Sequence, residues 1–104
     1  MIWVGGQVDL TPSGAVRNEG DLESQTRHAM ANLSRALEAL DCDLVDLVFL
    51  LCFYVNDGSV DEHAFLELVG SCLPEDSVPA VNAVPMPYLA YTGLVVEIEG
   101  YAMR

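Results

Sequence analysis

Apolar and polar residues alternate along Leu94–Met103, whereas apolar residues recur every three or four positions along Asp21–Leu40. The first pattern predicts a strand and the second a helix. Alternation puts Leu94, Val96, Ile98, Gly100 and Ala102 on one strand face, suited to a core, and Val95, Glu97, Glu99, Tyr101 and Met103 on the other. In the helix, Leu22, Ala29, Met30, Leu33, Ala36, Leu37 and Leu40 form one stripe. Asp21 and Glu23 at its start suit the helix dipole. Gln25, Arg27, His28, Ser34 and Arg35 fall on its polar face, where His28 is expected to meet solvent.

The remaining elements follow from similar signals. Ile2–Leu10 reads as a strand interrupted by Gly5-Gly6, a pair that suggests a bulge or a close backbone approach. Thr11-Pro-Ser-Gly14 is a turn, and Ala15–Arg17 is expected to return as the second strand of a hairpin. Leu44–Val55 is apolar on both faces, with Val45, Leu47, Phe49, Leu51, Phe53 and Val55 on one and Val48, Leu50, Cys52 and Tyr54 on the other. Such a strand is covered on both sides. Helices can cover one side, and another subunit is expected on the other. A second helix is expected from about Val60 to Leu73. Val78–Leu89 holds Pro79, Pro85 and Pro87, so its strand must be short, bulged or at an edge. The order ββαβαββ predicts an α+β sandwich, with two helices on one face of a mixed sheet.

The 104 residues fit a single domain, 1–104. A hydrophobic fraction of 52% is high for so small a domain, and buried subunit contacts would account for it. The net charge is −12, and the basic residues are four arginines with no lysine. A chain of that charge lacks the cationic patch that nucleic acids and anionic membranes require, so neither is expected as a partner. The N-terminus does not resemble a signal peptide, which gives the expectation of a cytoplasmic protein. Three cysteines without a CxxC pair, and only two histidines, argue against a disulfide framework and against zinc. Cys52 reads as packing.

Candidate chemistry centres on Glu97 and Glu99, roughly 7 Å apart on one strand face and flanked by apolar neighbours. A half-buried carboxylate on a rigid strand is an acid/base candidate, and the competing reading is an exposed edge whose glutamates only keep it soluble.

The segments Trp3-Val-Gly-Gly-Gln7, Gly20-Asp-Leu-Glu-Ser-Gln25-Thr26, Asn32-Leu33, Tyr54-Val-Asn-Asp57, Pro79-Ala80 and Val96-Glu-Ile-Glu99 follow in order at suitable distances. Together they resemble the Rid (reactive intermediate deaminase, YjgF-like) family over nearly the whole chain. The resemblance implies a chorismate-mutase-like α+β sandwich and a homotrimer, with small-molecule clefts between subunits. It also implies hydrolysis of imines and enamines to carbonyl compounds and ammonia without a metal or organic cofactor. By position, Glu97 matches the residue that handles water, and Glu99 matches a structural or interfacial acid. Gly6 matches a glycine that approaches ligand through its backbone, and Ala83 a backbone carbonyl that helps hold the water. Gln7 also matches, as a binding or a structural residue.

The family's Pro-Ala-Arg is here Pro79-Ala80-Val81, and valine cannot hold a carboxylate. The chain also starts inside the family's first conserved strand, which predicts a cleft without the aromatic wall of the preceding segment. The expected protein is therefore a poor deaminase for simple 2-imino acids, with Val81 favouring a neutral or aromatic substrate. Arg17 and Arg104 are the candidates to restore the charge. The alternative is a non-catalytic trimer that binds a metabolite or serves a structural role.

Overall fold

Asp21 is extended and accepts a hydrogen bond from Ser24 N at 3.0 Å, and this cap starts α1, Leu22–Glu38. Asp61 caps α2, Glu62–Ser71, in a similar way by accepting from His63 N. Both helices are shorter than the expected 21–40 and 60–73 because the caps fix their starts and their last apolar residues lie beyond the final helical turn. In this computed structural model, which describes residues 1–104, they pack on one face of a four-stranded sheet. The strands are β1 (Ile2–Gln7), β2 (Leu47–Val55), β3 (Ala80–Met86) and β4 (Val96–Ala102), arranged β1-β4-β2-β3. β2 pairs parallel with β3, and β4 runs antiparallel to both β1 and β2. The fold is thus the expected α+β sandwich with a mixed sheet.

The expected second hairpin strand at Ala15–Arg17 is reduced to a single bridge, Leu10–Val16. The Thr11 side chain accepts from Ala15 N, and this tight turn leaves too few residues for a ladder. Of the alternatives for the proline-rich segment, an edge strand is the one observed, with Pro85 inside β3 and Pro79 and Pro87 flanking it. The Gly5-Gly6 bulge is also present. The β1–β4 register shifts between Val4 and Gln7, so that two glycines oppose one β4 residue.

The core lies between sheet and helices. Leu50, Cys52 and Tyr54 of β2 and Val96, Ile98 and Ala102 of β4 meet Ala29, Met30, Leu33 and Leu37 of α1 and Phe65 and Val69 of α2. Gly100 brings α1 close, since a Cβ there would sit 2.9 Å from Leu33 Cδ1. One face assignment on β2 differs from expectation. Leu47 is buried with the core and Val48 is exposed, because the β2–β4 register shifts between Leu47 and Phe49 and reverses the alternation below that point. Leu40, counted in the helical stripe, is also exposed.

One polar side chain departs from the expected solvent-facing row of α1, and another, His28, is exposed as expected but held by a buried carboxylate. Gln25 is fully buried. Its Nε2 donates to Gly93 O at 2.8 Å and to the Asn18 and Arg17 carbonyls, and its Oε1 accepts from Val95 N at 2.8 Å. One amide thereby ties α1 to the loops on either side of it. His28 donates through Nδ1 to the buried Asp9 carboxylate at 2.8 Å. Arg17 and Asn18 complete the shell around Asp9. Burial pushes the Asp9 carboxyl up, but hydrogen bonds from Asn18, His28 and Arg17 outweigh it and leave the pKa below the ordinary value.

The molecule measures 37 × 33 × 19 Å, and its short axis is that of one helix layer on one sheet. The other sheet face carries Trp3, Phe49, Phe53, Glu97, Glu99 and Tyr101, and no element of the chain covers it.

Candidate functional site

Glu97 stands on that uncovered face because β4 alternates strictly from Val96 to Ala102, with its even-numbered residues buried and its odd-numbered ones half exposed. Its neighbour on β2 is Phe53, and beyond Phe53 lies Val84 of β3. On the β1 side the carboxyl group lies over the Gly6 backbone. A Cβ built at Gly6 would come within 2.7 Å of Glu97 Cδ and Oε1. Gly6 therefore leaves the space that Glu97 occupies, and the Gly5-Gly6 bulge shapes the strand at that point. Gly5 itself faces open space. Gln7 turns back on β1 and donates to Gly5 O at 2.9 Å.

Glu99 lies on the same face, opposite Leu51, and Asn82 of β3 extends that row at the sheet edge. Asn82 escaped the sequence reading, because only the β2–β3 register places it on the glutamate face. Tyr101 closes the row, with its ring 6.3 Å from Trp3 and 5.6 Å from Phe49.

Val81 and Ala83 lie elsewhere. Val81 pairs with Leu50 and Ala83 with Cys52, so both side chains point to the helix side and pack on the core. With β2 between β3 and β4, the Ala83 main chain is about 10 Å from β4 at the usual strand spacing. A single protomer thus joins Gly6 to Glu97 and holds Val81 and Ala83 apart, on the edge strand.

No arginine reaches the uncovered face. Arg17 is bound to Asp9 at 2.9 Å and Arg27 to Glu23 at 3.6 Å. Arg35 donates to Asn32 Oδ1 and Arg104 to the Asp41 carbonyl. The two candidates for replacing the missing charge, Arg17 and Arg104, are both engaged in this way.

The molecule has two recesses, and neither contains Glu97. One, of about 380 Å³, lies between the first turn of α1 and α2, lined by Leu22, Val60, Phe65 and Leu68. The other, of about 370 Å³, lies under the β3–β4 connection, with Val55 and Val95 among its lining residues. A lone sheet face has no walls, so Glu97 can be enclosed only by something beyond this protomer.

An α+β sandwich with one bare sheet face, an acid on the last strand and a glycine bulge beside it defines a class. The family model described as Endoribonuclease L-PSP matches residues 1–104, and the chain belongs to this family, the Rid/YjgF proteins. It is 33% identical to the mouse protein named 2-iminobutanoate/2-iminopropanoate deaminase, over 99% of this chain and 73% of that one. It is 25% identical to a RutC family protein of Pyrococcus horikoshii, over 100% of this chain and 79% of that one. Among solved structures, the Rid protein YyfB from Yersinia pestis, described as of unknown function, superposes with a TM-score of 0.87 at 27% identity. That match covers 97% of this chain and 76% of YyfB.

Proposed function

We propose that the chain is a Rid-type hydrolase of imines or enamines, acting as a homotrimer whose clefts lie between copies, on substrates without a carboxylate. The observation that carries this reading is the seating of Glu97 against Gly6, on a rigid strand and on a face left for another copy. The name of the mouse relative supports the reaction type.

In this mechanism the Glu97 carboxylate accepts a proton as water oxygen attacks the imine carbon, and the C=N electron pair moves to nitrogen. The carbinolamine nitrogen receives that proton. The hydroxyl proton then passes to nitrogen by way of the Glu97 carboxylate, and as the C–N bond breaks with its electron pair going to nitrogen, the O–H electron pair forms the carbonyl and ammonia leaves. General acid–base assistance of this kind contributes about 10²–10⁴-fold. With Val81 in place of the family's arginine and all four arginines engaged elsewhere, nothing on this chain is placed to bind a substrate carboxylate. The net charge of −12 stands against action on RNA despite the family's name.

The test is ammonia release from enzymatically generated imines with and without a carboxylate, for the wild type and Glu97→Gln. Accelerated release from carboxylate-free imines, lost in the variant, is the expected result. A folded protein that accelerates nothing in the panel, yet is protected by small molecules against thermal unfolding, belongs to the second reading, a non-catalytic metabolite-binding trimer. The missing arginine is the observation that favours that reading.

A further inference from the structure

The recess under the β3–β4 connection lies two residues from Glu97 along the same strand face. Val55 N donates to Val95 O at 2.9 Å, one step beyond the pairs Tyr54–Val96 and Phe53–Glu97. Alternation therefore puts the Val55 and Val95 side chains on the Glu97 face. Pro87, Tyr88, Leu89 and Tyr91 form the rest of the wall. Tyr88 and Tyr91 are 76% and 54% exposed. The base of the connection is fixed, because Gly93 O and Val95 N are both held by the buried Gln25 and Gly20 N donates to Gly93 O. The result is an apolar recess of about 370 Å³ with two aromatic rims on an anchored loop, beside a carboxylate. That size falls within the range of small-molecule sites, roughly 300–1,000 Å³.

Charge narrows what it would take. Glu97 and Glu99 lie on this face, every arginine is engaged elsewhere, and the whole chain carries −12. Such a field repels carboxylates and draws cations, and tyrosine faces attract cations as well. We propose that this recess holds the body of the substrate, that Tyr88 and Tyr91 set its specificity, and that the ligand class is a carboxylate-free aromatic imine in its protonated form. This rests on the hydrolase reading above, since it places the iminium group at Glu97 and the ring over Val55 and Val95. Protonation also suits the chemistry, because an iminium carbon is more electrophilic than that of a neutral imine and its nitrogen needs no further proton before water attacks.

Benzamidine is a stable probe with a ring and a delocalised cation. Benzoate has the same shape with the opposite charge, and acetamidine has the charge without the ring. Each is titrated into the wild-type protein carrying labelled valine methyl groups. Benzamidine is expected to shift the Val55 and Val95 signals and to bind at least about tenfold more tightly than benzoate or acetamidine. Tyr91→Ala and Tyr88→Ala are expected to weaken benzamidine by about three- to tenfold while leaving acetamidine unchanged. Equal affinity for benzoate overturns the proposal. So does silence at Val55 and Val95, including silence because a neighbouring copy fills the recess.

Ammonia release separates this result from the hydrolase reading. Glu97-dependent turnover with no preference for a ring, and no response at the two valines, leaves the hydrolase and removes the pocket. Ring-selective binding at the valines without turnover of any imine keeps the recess as an aromatic-cation site and removes the hydrolase.

Discussion

Both faces of the sheet are rich in apolar residues, and they have opposite fates. On the helix side, Leu50, Cys52, Tyr54, Val96 and Ile98 are sealed under α1 and α2. Burial there pushes the Cys52 thiol up to about 12, which fits packing and excludes a thiolate nucleophile at neutral pH. On the other side, Phe49, Phe53 and Tyr101 stand partly exposed around two carboxylates, and Trp3 is 61% exposed. The first face carries stability and no chemistry. The second carries the carboxylates on which the proposed chemistry rests, and no element of this protomer covers its apolar surface.

Substitutions on the two faces should therefore separate. Leu33→Ala empties a site packed against Gly100 and is expected to cost about 2–5 kcal/mol in denaturant unfolding, at any protein concentration. Phe53→Ala should cost less in the folded protomer and instead make the unfolding midpoint more dependent on concentration. If both variants behave alike, the functional contrast between the faces is lost.

Gln25→Ala comes next. It leaves the Val95 N–H without its partner and the Gly93 carbonyl with Gly20 N alone, and about 1–3 kcal/mol of stability should go with them. Hydrogen exchange should rise first in residues 87–95, the wall of the recess.

Gly6→Ala sharpens the comparison from the other direction. The new methyl meets the far end of the flexible Glu97 side chain and not backbone, so the carboxylate can swing away at little cost. Stability should change by under about 1 kcal/mol, whereas turnover should fall by about tenfold or more because a small misplacement of the carboxylate is enough. Equal loss of both would mean that Gly6 is merely structural.

The smallest effect concerns pH. Asp9 has a folded pKa below its ordinary 3.8, so its contribution is fully present above that value and is lost as pH falls through the lower folded one. The stability gap between the wild type and Asp9→Asn should be constant from pH 7 to about 5 and close below about pH 4. A gap that persists at pH 2.5 would remove the ionised Asp9 from the account.

Much of this was legible in the sequence, and the failures have physical causes. Alternation in β4 identified its two faces, and three prolines limited β3 to a short, bulged or edge strand, because each pattern reflects a local constraint. Gly5-Gly6 indicated a bulge, and the spacing of six short motifs indicated the family. Gln25 is buried against the expectation of a surface residue, because helical periodicity sorts side chains by polarity alone, whereas His28 is exposed as expected. What buries Gln25 is a set of loop groups needing partners, and what orients His28 is a carboxylate 19 positions away. The burial of Leu47 depends on a register shift between two strands, which no single segment encodes. The position of Asn82 and the side to which Val81 and Ala83 point depend on the β2–β3 pairing in the same way.

The measurement that bears most directly on the account is the molar mass of the wild-type protein in dilute neutral solution, by sedimentation or light scattering. Three chains, against the 11.3 kDa of one, is the predicted result, and it gives Glu97 the walls that a single protomer lacks. A mass of one chain would contradict the account, because the sheet face that carries Glu97 and its apolar neighbours would then lie open to water.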